Sequence, residues 1–85
     1  MSNNKTDITP VIYSAVWCGY CRVLKSWFDA QNIAYEERDV DQPGVREEMN
    51  QRTRGNQTIP VLFLGDEFWV NPSKQILAEQ FILGK

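Results

Sequence analysis

Residues 11–21, with the sequence VIYSAVWCGYC, join a short run of β-branched and aromatic residues to a pair of cysteines three positions apart. Cys18 and Cys21 are the two cysteines of the 85-residue chain. A disulfide stabilises a fold mainly by closing a long loop in the unfolded chain, and a bridge across two residues closes almost none. The spacing therefore predicts a disulfide that is made and broken in thiol redox chemistry.

The regular structure around this segment follows from the apolar pattern. A strand is predicted over residues 11–15, then a helix that begins at about Cys18 and stops at Asn32, then a second strand over residues 33–39. Because a helix separates the two strands, we expect them to be parallel neighbours joined by a right-handed crossover. The helix carries a broad apolar face, made of Val23, Leu24, Trp27, Phe28 and Ala30.

The second half of the chain predicts a helix, a hairpin and a last helix. Pro43 can occupy the first turn of a polar helix that Gly55 ends. Strands are predicted over residues 61–64 and 68–70, around a short turn suited to an antiparallel hairpin. Asn71-Pro72 predicts an N-cap and a first helical residue. The expected order is β-α-β-α-β-β-α.

Length and composition place the chain among small folded proteins. Eighty-five residues suffice for one domain spanning residues 1–85, of which residues 1–9 are expected to be flexible. A net charge of −2 gives no reason to expect nucleic acid or an anionic membrane as a partner. No apolar run approaches the ~20 residues that span a bilayer, and the polar amino terminus does not look like a signal peptide. We therefore predict a cytoplasmic monomer, a setting in which paired cysteines are usually catalytic or metal-binding.

The two sulfurs are expected to have different roles. Residues at i and i+3 of a helix lie on one face, close enough to form a disulfide. Unsatisfied N–H groups and the positive end of the helix dipole favour the thiolate form of Cys18, which we predict to be the nucleophile. Cys21 lies one turn further on, beside Leu24 and Phe28, and is predicted to be the more shielded, resolving thiol.

Other interpretations of the cysteine pair are weaker. A tetrahedral zinc site needs four ligands, and a chain with two cysteines and no histidine could supply them only as a dimer, so no metal site is predicted. The lack of histidine also excludes a Cys-His hydrolase. Two inert buried cysteines remain the structural alternative, against which Gly19 and Tyr20 between them argue. Trp17 is as consistent with a packing aromatic at the rim as with a substrate contact.

Together these residues carry a family resemblance. Cys18-Gly19-Tyr20-Cys21, followed downstream by Thr58-Ile59-Pro60 before a hairpin, resembles the glutaredoxin branch of the thioredoxin fold, and the likeness extends from about Val11 to Leu83. It implies an α/β fold with a four-stranded mixed sheet flanked by helices. It also implies a cis Ile59–Pro60 bond that faces the nucleophilic cysteine, with the Ile59 main chain free to pair with a thiol substrate.

Two departures from that pattern indicate which thiol the protein uses. Typical glutathione-using glutaredoxins have a lysine where this chain has Ala15, and a Gly-Gly-acid loop where it has residues 71–74, NPSK. The combination of a Trp-Cys-Gly-Tyr-Cys site with Asn-Pro-Ser in that loop is most similar to the mycoredoxins, which use mycothiol, a sugar thiol without a carboxylate. The resemblance implies a thiol-binding set of Trp17, Gly19, Tyr20, Thr58, Ile59, Pro60, Asn71 and Pro72.

The resemblance also implies cosubstrates and partners. No tightly bound cofactor is expected, and the low-molecular-weight thiol is mycothiol, with glutathione and bacillithiol left open. Oxidised or thiolated proteins, and a flavoprotein disulfide reductase, are the implied protein partners. Arg52, Arg54 and Gln57 precede the Thr-Ile-Pro turn, where related proteins contact anionic thiols, although arginines at a solvated helix end also suit the dipole.

Two further functions stay open at this point. One is an electron donor of the small redoxin type, which takes its electrons from thioredoxin reductase instead of a free thiol. The other is a dimeric carrier of a [2Fe–2S] cluster, an interpretation that Gly19 permits.

Overall fold

The computed structural model describes residues 9–83 of the chain. The expected flexibility of residues 1–9 therefore falls almost wholly outside the described residues. The strands are β1 (Val11–Ser14), β2 (Glu36–Asp39), β3 (Val61–Leu64) and β4 (Glu67–Val70). The helices are α1 (Gly19–Ala30), α2 (Val45–Arg52) and α3 (Lys74–Ala78), and α3 continues as a π-helical segment, Glu79–Leu83.

The four strands form one mixed sheet in the order β2-β1-β3-β4. β1 is parallel to β2, and β1–β3 and β3–β4 are antiparallel. The α/β thioredoxin fold and the order of elements are confirmed. Within the described residues no helix is long and apolar enough to cross a lipid bilayer.

Apolar residues cover both faces of the sheet because side chains alternate along each strand. Ile12 and Leu62 pack on one face with Leu24 and Phe28 of α1 and Leu77 of α3. The opposite face holds Tyr13, Val61 and Phe63 of the sheet, Val45 and Met49 of α2, and both cysteines. The cysteines therefore belong to the core cluster that α2 covers, although they lie at the amino end of α1.

Four predicted boundaries were wrong. The second strand begins at Glu36 instead of residue 33, because its partner β1 begins at Val11 after Pro10, which has no N–H to donate. Pro43 lies outside α2, since Gly44 adopts a left-handed φ of 81° as the N-cap and the helix starts at Val45. The hairpin turn contains two residues, with Gly65 at the first central position (φ 65°).

The fourth correction concerns the start of the last helix. Asn71 is not the N-cap: its φ is 49°, and its N–H donates to the Pro60 carbonyl at 2.8 Å. Ser73 caps α3 instead, with its Oγ accepting a hydrogen bond from the Ile76 N–H at 3.2 Å. Pro72 therefore precedes the helix.

A polar network fastens α2 to the sheet. Glu48 of α2 accepts hydrogen bonds from the Tyr13 hydroxyl and the Arg38 guanidinium. Arg52 donates to the Tyr13 hydroxyl at 2.8 Å and stacks on the Phe63 ring, 3.9 Å from its centroid. Arg38 and Tyr13 hold the pKa of Glu48 below its usual value, so its charged form stabilises the folded state.

Phe28→Ala should lower the free energy of unfolding by about 3–5 kcal/mol, as expected for deleting a fully buried ring. Three aromatic rings, those of Trp27, Tyr35 and Phe81, lie 5.1–5.5 Å from the Phe28 centroid. Urea denaturation measures the loss. Val23→Ala, at an exposed position of the same helix, is the control and should change little; equal losses would contradict the packing described here.

Glu48→Gln should reduce stability at pH 7, and the deficit should disappear as the pH falls. A carboxylate with a depressed pKa contributes stability above its unfolded pKa of about 4.5 and loses it as the pH falls through the lower folded value. Thermal unfolding from pH 7 to pH 3 tests this. Glu47→Gln, an exposed neighbour, is the control, and a deficit in Glu48→Gln that persists at pH 3 would refute the assignment.

Candidate active site

Cys18 is the N-cap of α1. Its backbone is extended (φ −94°, ψ 115°), and its Sγ accepts a hydrogen bond from the backbone N–H of Cys21 at 3.2 Å. Serine, threonine, aspartate and asparagine usually supply this acceptor, so the sulfur here takes the place of a capping oxygen. The sulfur thus faces the unsatisfied N–H groups of the first helical turn, as the sequence predicted.

Cys21 is the more deeply buried cysteine, as predicted. Its exposed fraction is 0%, against 7% for Cys18, and the two thiols are not joined. Burial and the interaction with Cys18 raise the pKa of Cys21 to about 12. The second thiol is therefore protonated at neutral pH, which suits a group that reacts only after Cys18 has.

The Thr-Ile-Pro segment lies beside the cysteines. The Ile59–Pro60 bond is cis, as the resemblance implied. Ile59 is partly buried against the core cluster that contains Cys18 and Cys21, whereas Thr58 is exposed and its carbonyl accepts from the Asn56 side chain at 2.9 Å. The hydrogen bond from Asn71 to the Pro60 carbonyl brings the loop after β4 to the same end of the sheet.

A small groove between α1 and the start of α3 is lined by three of the predicted thiol-binding residues. Tyr20, Asn71 and Pro72 line it, together with residues that the sequence analysis did not assign to a site: Val23, Leu24, Trp27, Lys74 and Leu77. Tyr20 is 69% exposed and Val23 57% exposed. Val23 was predicted to belong to the apolar face of the helix, but it lies at the open side of this groove.

Trp17 lies away from the groove. Its indole Nε1 donates to Asp41 in the β2–α2 loop at 2.7 Å, and Arg46 donates to the other carboxylate oxygen at 3.3 Å. The ring is 61% exposed and held at the rim of the site, and its contact with substrate stays a prediction. A Cβ added to Gly19 would meet nothing within 4 Å, so packing does not require glycine there.

The three residues before the Thr-Ile-Pro turn lie in different settings. Arg52 is engaged by Tyr13 and Phe63, as described above. Gln57 lines a separate, open depression with Gly44, Arg46, Glu47 and Asn50. Arg54 is exposed with a left-handed φ of 61°. These placements favour the structural interpretation of Arg52.

A second group of polar residues beneath Cys21 escaped the sequence analysis. Lys25 Nζ lies 2.6 Å from Glu37 Oε2, and the fully buried Ser14 hydroxyl donates to the same oxygen at 2.7 Å. The spacing of Lys25, one helical turn after Cys21, was readable in the sequence. Its partner Glu37 was not, because the two residues meet only through the sheet.

Comparisons with known proteins agree with this geometry. The glutaredoxin family model matches residues 11–69 of the chain. The chain belongs to the glutaredoxin family. A Mycobacterium tuberculosis protein named, provisionally, as a glutaredoxin is 39% identical over 64 residues, which cover 73% of this chain and 76% of that protein.

Two solved structures are similar to the fold. The glutaredoxin from Archaeoglobus fulgidus has a TM-score of 0.74 at 16% identity, covering 93% of this chain and 94% of its own. The buckwheat glutaredoxin–glutathione complex has a TM-score of 0.61 at 26% identity, covering 75% of this chain and 61% of its own. The protein is thus a glutaredoxin-like thiol-disulfide oxidoreductase.

Alkylation of the reduced protein should separate the two cysteines. At neutral pH iodoacetamide should modify Cys18 and spare Cys21, because Cys21 is fully buried and its pKa is near 12. Peptide mapping by mass spectrometry after brief exposure locates the label. Unfolded protein in urea is the control and should be labelled at both positions; equal labelling in the folded protein would contradict the assigned roles.

Proposed function

We propose that this glutaredoxin-like protein reduces mixed disulfides between mycothiol and proteins, with Cys18 as the nucleophile and Cys21 as the resolving thiol. The observation that supports mycothiol is the charge at the groove lined by Tyr20, which follows Cys18 by two residues. Lys74, the first residue of α3, lines this groove with Tyr20, Asn71 and Pro72.

The sign of that charge separates the candidate thiols. In glutaredoxins that use glutathione, the resemblance places an acidic loop here to bind the γ-glutamyl end, which carries an ammonium group. An ammonium of Lys74 at the same place repels such a group. Ala15, 1% exposed, occupies the position of the lysine that helps bind a glutathione carboxylate. A sugar thiol needs neither charge and can use hydroxyl and apolar contacts with Tyr20 and Pro72.

The reaction is a pair of thiol–disulfide exchanges. The Cys18 thiolate attacks the small-thiol sulfur of a mixed disulfide, a new S–S bond forms, and the protein thiolate leaves. The adduct on Cys18 is then cleared by a second small thiol or by Cys21. Pairing of the Ile59 main chain with the substrate would hold its sulfur in line with Cys18.

The test uses Cys21→Ser, which removes the intramolecular route that clears the adduct. This variant is mixed with the disulfides of mycothiol, glutathione and bacillithiol, and adduct formation and release at Cys18 are followed by intact-mass spectrometry. Fast exchange that prefers mycothiol is expected. Cys18→Ser is the blank and should form no adduct at the site.

Reversing the charge at position 74 should shift the preference of the protein from mycothiol disulfide towards glutathione disulfide. Cys21→Ser/Lys74→Glu should react faster with glutathione disulfide relative to mycothiol disulfide, by up to ~5-fold, because one close ion pair is worth up to about 1 kcal/mol at an exposed site. Cys21→Ser/Arg54→Glu makes the same charge change outside the groove and should leave the ratio unchanged. An unchanged ratio in the Lys74→Glu protein would argue against charge selection there.

The two alternative functions give different outcomes in the same experiment. Slow, unselective exchange with all three thiols, together with rapid reduction of the wild-type disulfide by thioredoxin reductase, would support the small-redoxin donor. A brown, dimeric protein after anaerobic purification would support the cluster carrier. Either result would overturn mycothiol reduction as the main activity.

A further inference from the structure

The proposed function requires Cys21 to react, but burial of this thiol opposes formation of the reactive thiolate. To close the disulfide with Cys18 it must act as a thiolate, yet burial, the largest cause of its raised pKa, persists when Cys18 carries the small thiol. Exchange rates depend on the thiolate fraction, so this step should be slow without a compensating group. A group near Cys21 that stabilises negative charge would solve the difficulty.

Lys25 has the required position and charge. It follows Cys21 by one turn of α1, so the two side chains lie on the same side of the helix. Its side chain is only 19% exposed. Its positive charge lowers the pKa of Cys21, opposing the burial.

The head group of Lys25 is fixed from the sheet. Glu37 of β2 holds Nζ at 2.6 Å, and Ser14 of β1 donates to the same carboxylate oxygen. The hydrogen bond to Glu37 raises the pKa of Lys25, so the ammonium keeps its charge throughout the neutral range. A partly buried, anchored ammonium is screened less by salt than a fully exposed one.

We propose that Lys25, anchored by Glu37 and Ser14, stabilises the negative charge that develops on Cys21 when this thiol closes the intramolecular disulfide. The inference rests on the proposed function, because it concerns the step that clears the small thiol from Cys18. Glu37 and Ser14 are positioning residues, which act through Lys25.

The step balances without another reagent. Cys21 loses its thiol proton, its sulfur attacks Cys18 Sγ, and the bond between Cys18 and the small thiol breaks. The departing thiolate takes up a proton, so the products are the intramolecular disulfide and a free thiol. The mixed disulfide is the oxidant and Cys21 is oxidised.

The charged and polar groups around Cys21 are few. From α1 it faces Cys18 and Lys25, and it makes a backbone hydrogen bond with Ala15 at the end of β1, which lowers its pKa. Glu37 and Tyr35, in and next to β2, act on Lys25. Among the described groups that act on the Cys21 thiol, Lys25 is therefore the one with a positively charged side chain.

Rapid-quench intact-mass spectrometry tests the proposal with hydroxyethyl disulfide, a neutral probe whose adduct on Cys18 appears and then vanishes as Cys21 closes. Loss of a charge that shifts the Cys21 pKa by about one unit lowers the thiolate fraction ~10-fold, and the gain in nucleophilicity offsets part of this. Lys25→Met should therefore close about 3-fold more slowly near neutral pH. Its pH profile should move by about one unit to higher pH.

Matched variants separate charge from structure. Lys25→Arg keeps the cation and should restore the wild-type rate, and Lys25→Gln, which keeps a polar head, should behave like Lys25→Met. Arg22→Met removes an exposed cation of α1 that bonds the Val16 carbonyl, and should leave closure unchanged. In the Cys21→Ser background, Lys25→Met should not alter adduct formation, which also reports that the fold is intact.

The outcomes distinguish the two claims. Normal adduct formation followed by closure at the wild-type rate and pH profile in Lys25→Met would overturn the role of Lys25 alone. Failure of the Cys21→Ser protein to form any adduct would overturn the proposed function and the closure step with it.

Discussion

The hydrogen bond from the Cys21 N–H to Cys18 Sγ is the contact on which the rest of the site depends. It makes a sulfur the N-cap of α1, so the start of the helix and the position of the nucleophile are fixed by the same interaction. One turn later the helix buries Cys21 completely against the sheet. Two identical side chains thereby acquire different chemistry, because the sulfur of Cys18 caps the helix and Cys21 is fully buried.

The sheet positions the parts of the site that lie outside α1. β1 is followed by Ala15 and the active-site loop, and β3 begins immediately after the cis Ile59–Pro60 bond. Because β1 and β3 are antiparallel, both segments lie at one end of the sheet. The loop after β4 reaches the same end through the hydrogen bond from Asn71 to Pro60. Lys74 lines the same groove as Tyr20 because β1, β3 and the loop after β4 meet at one end of the sheet. The charge of the groove therefore depends on the fold and not on the cysteine motif alone.

Local signals in the sequence were sufficient for the elements, and long-range contacts decided the details. The β-branched run of β1, the start of α1 at Cys18 and the stop at Asn32, whose φ is 59°, could all be read directly. The starts of α2 and α3 could not be read in this way. Gly44 and Asn71 have left-handed backbones, and each helix begins after its proline and not at it. The bonds of Trp17 to Asp41 and of Lys25 to Glu37 join residues 24 and 12 positions apart, and no local pattern encodes such pairs.

Burial, and not the cysteine motif itself, keeps Cys21 a thiol while Cys18 reacts. The most direct measurement is the thiolate absorbance of the Cys18→Ser variant as a function of pH, with Cys18→Ser/Cys21→Ser as the blank. Cys21 should form no thiolate below about pH 10, well above the pKa of ~8.5 of a free cysteine. Titration of Cys21 near 8.5 in the folded protein would contradict it.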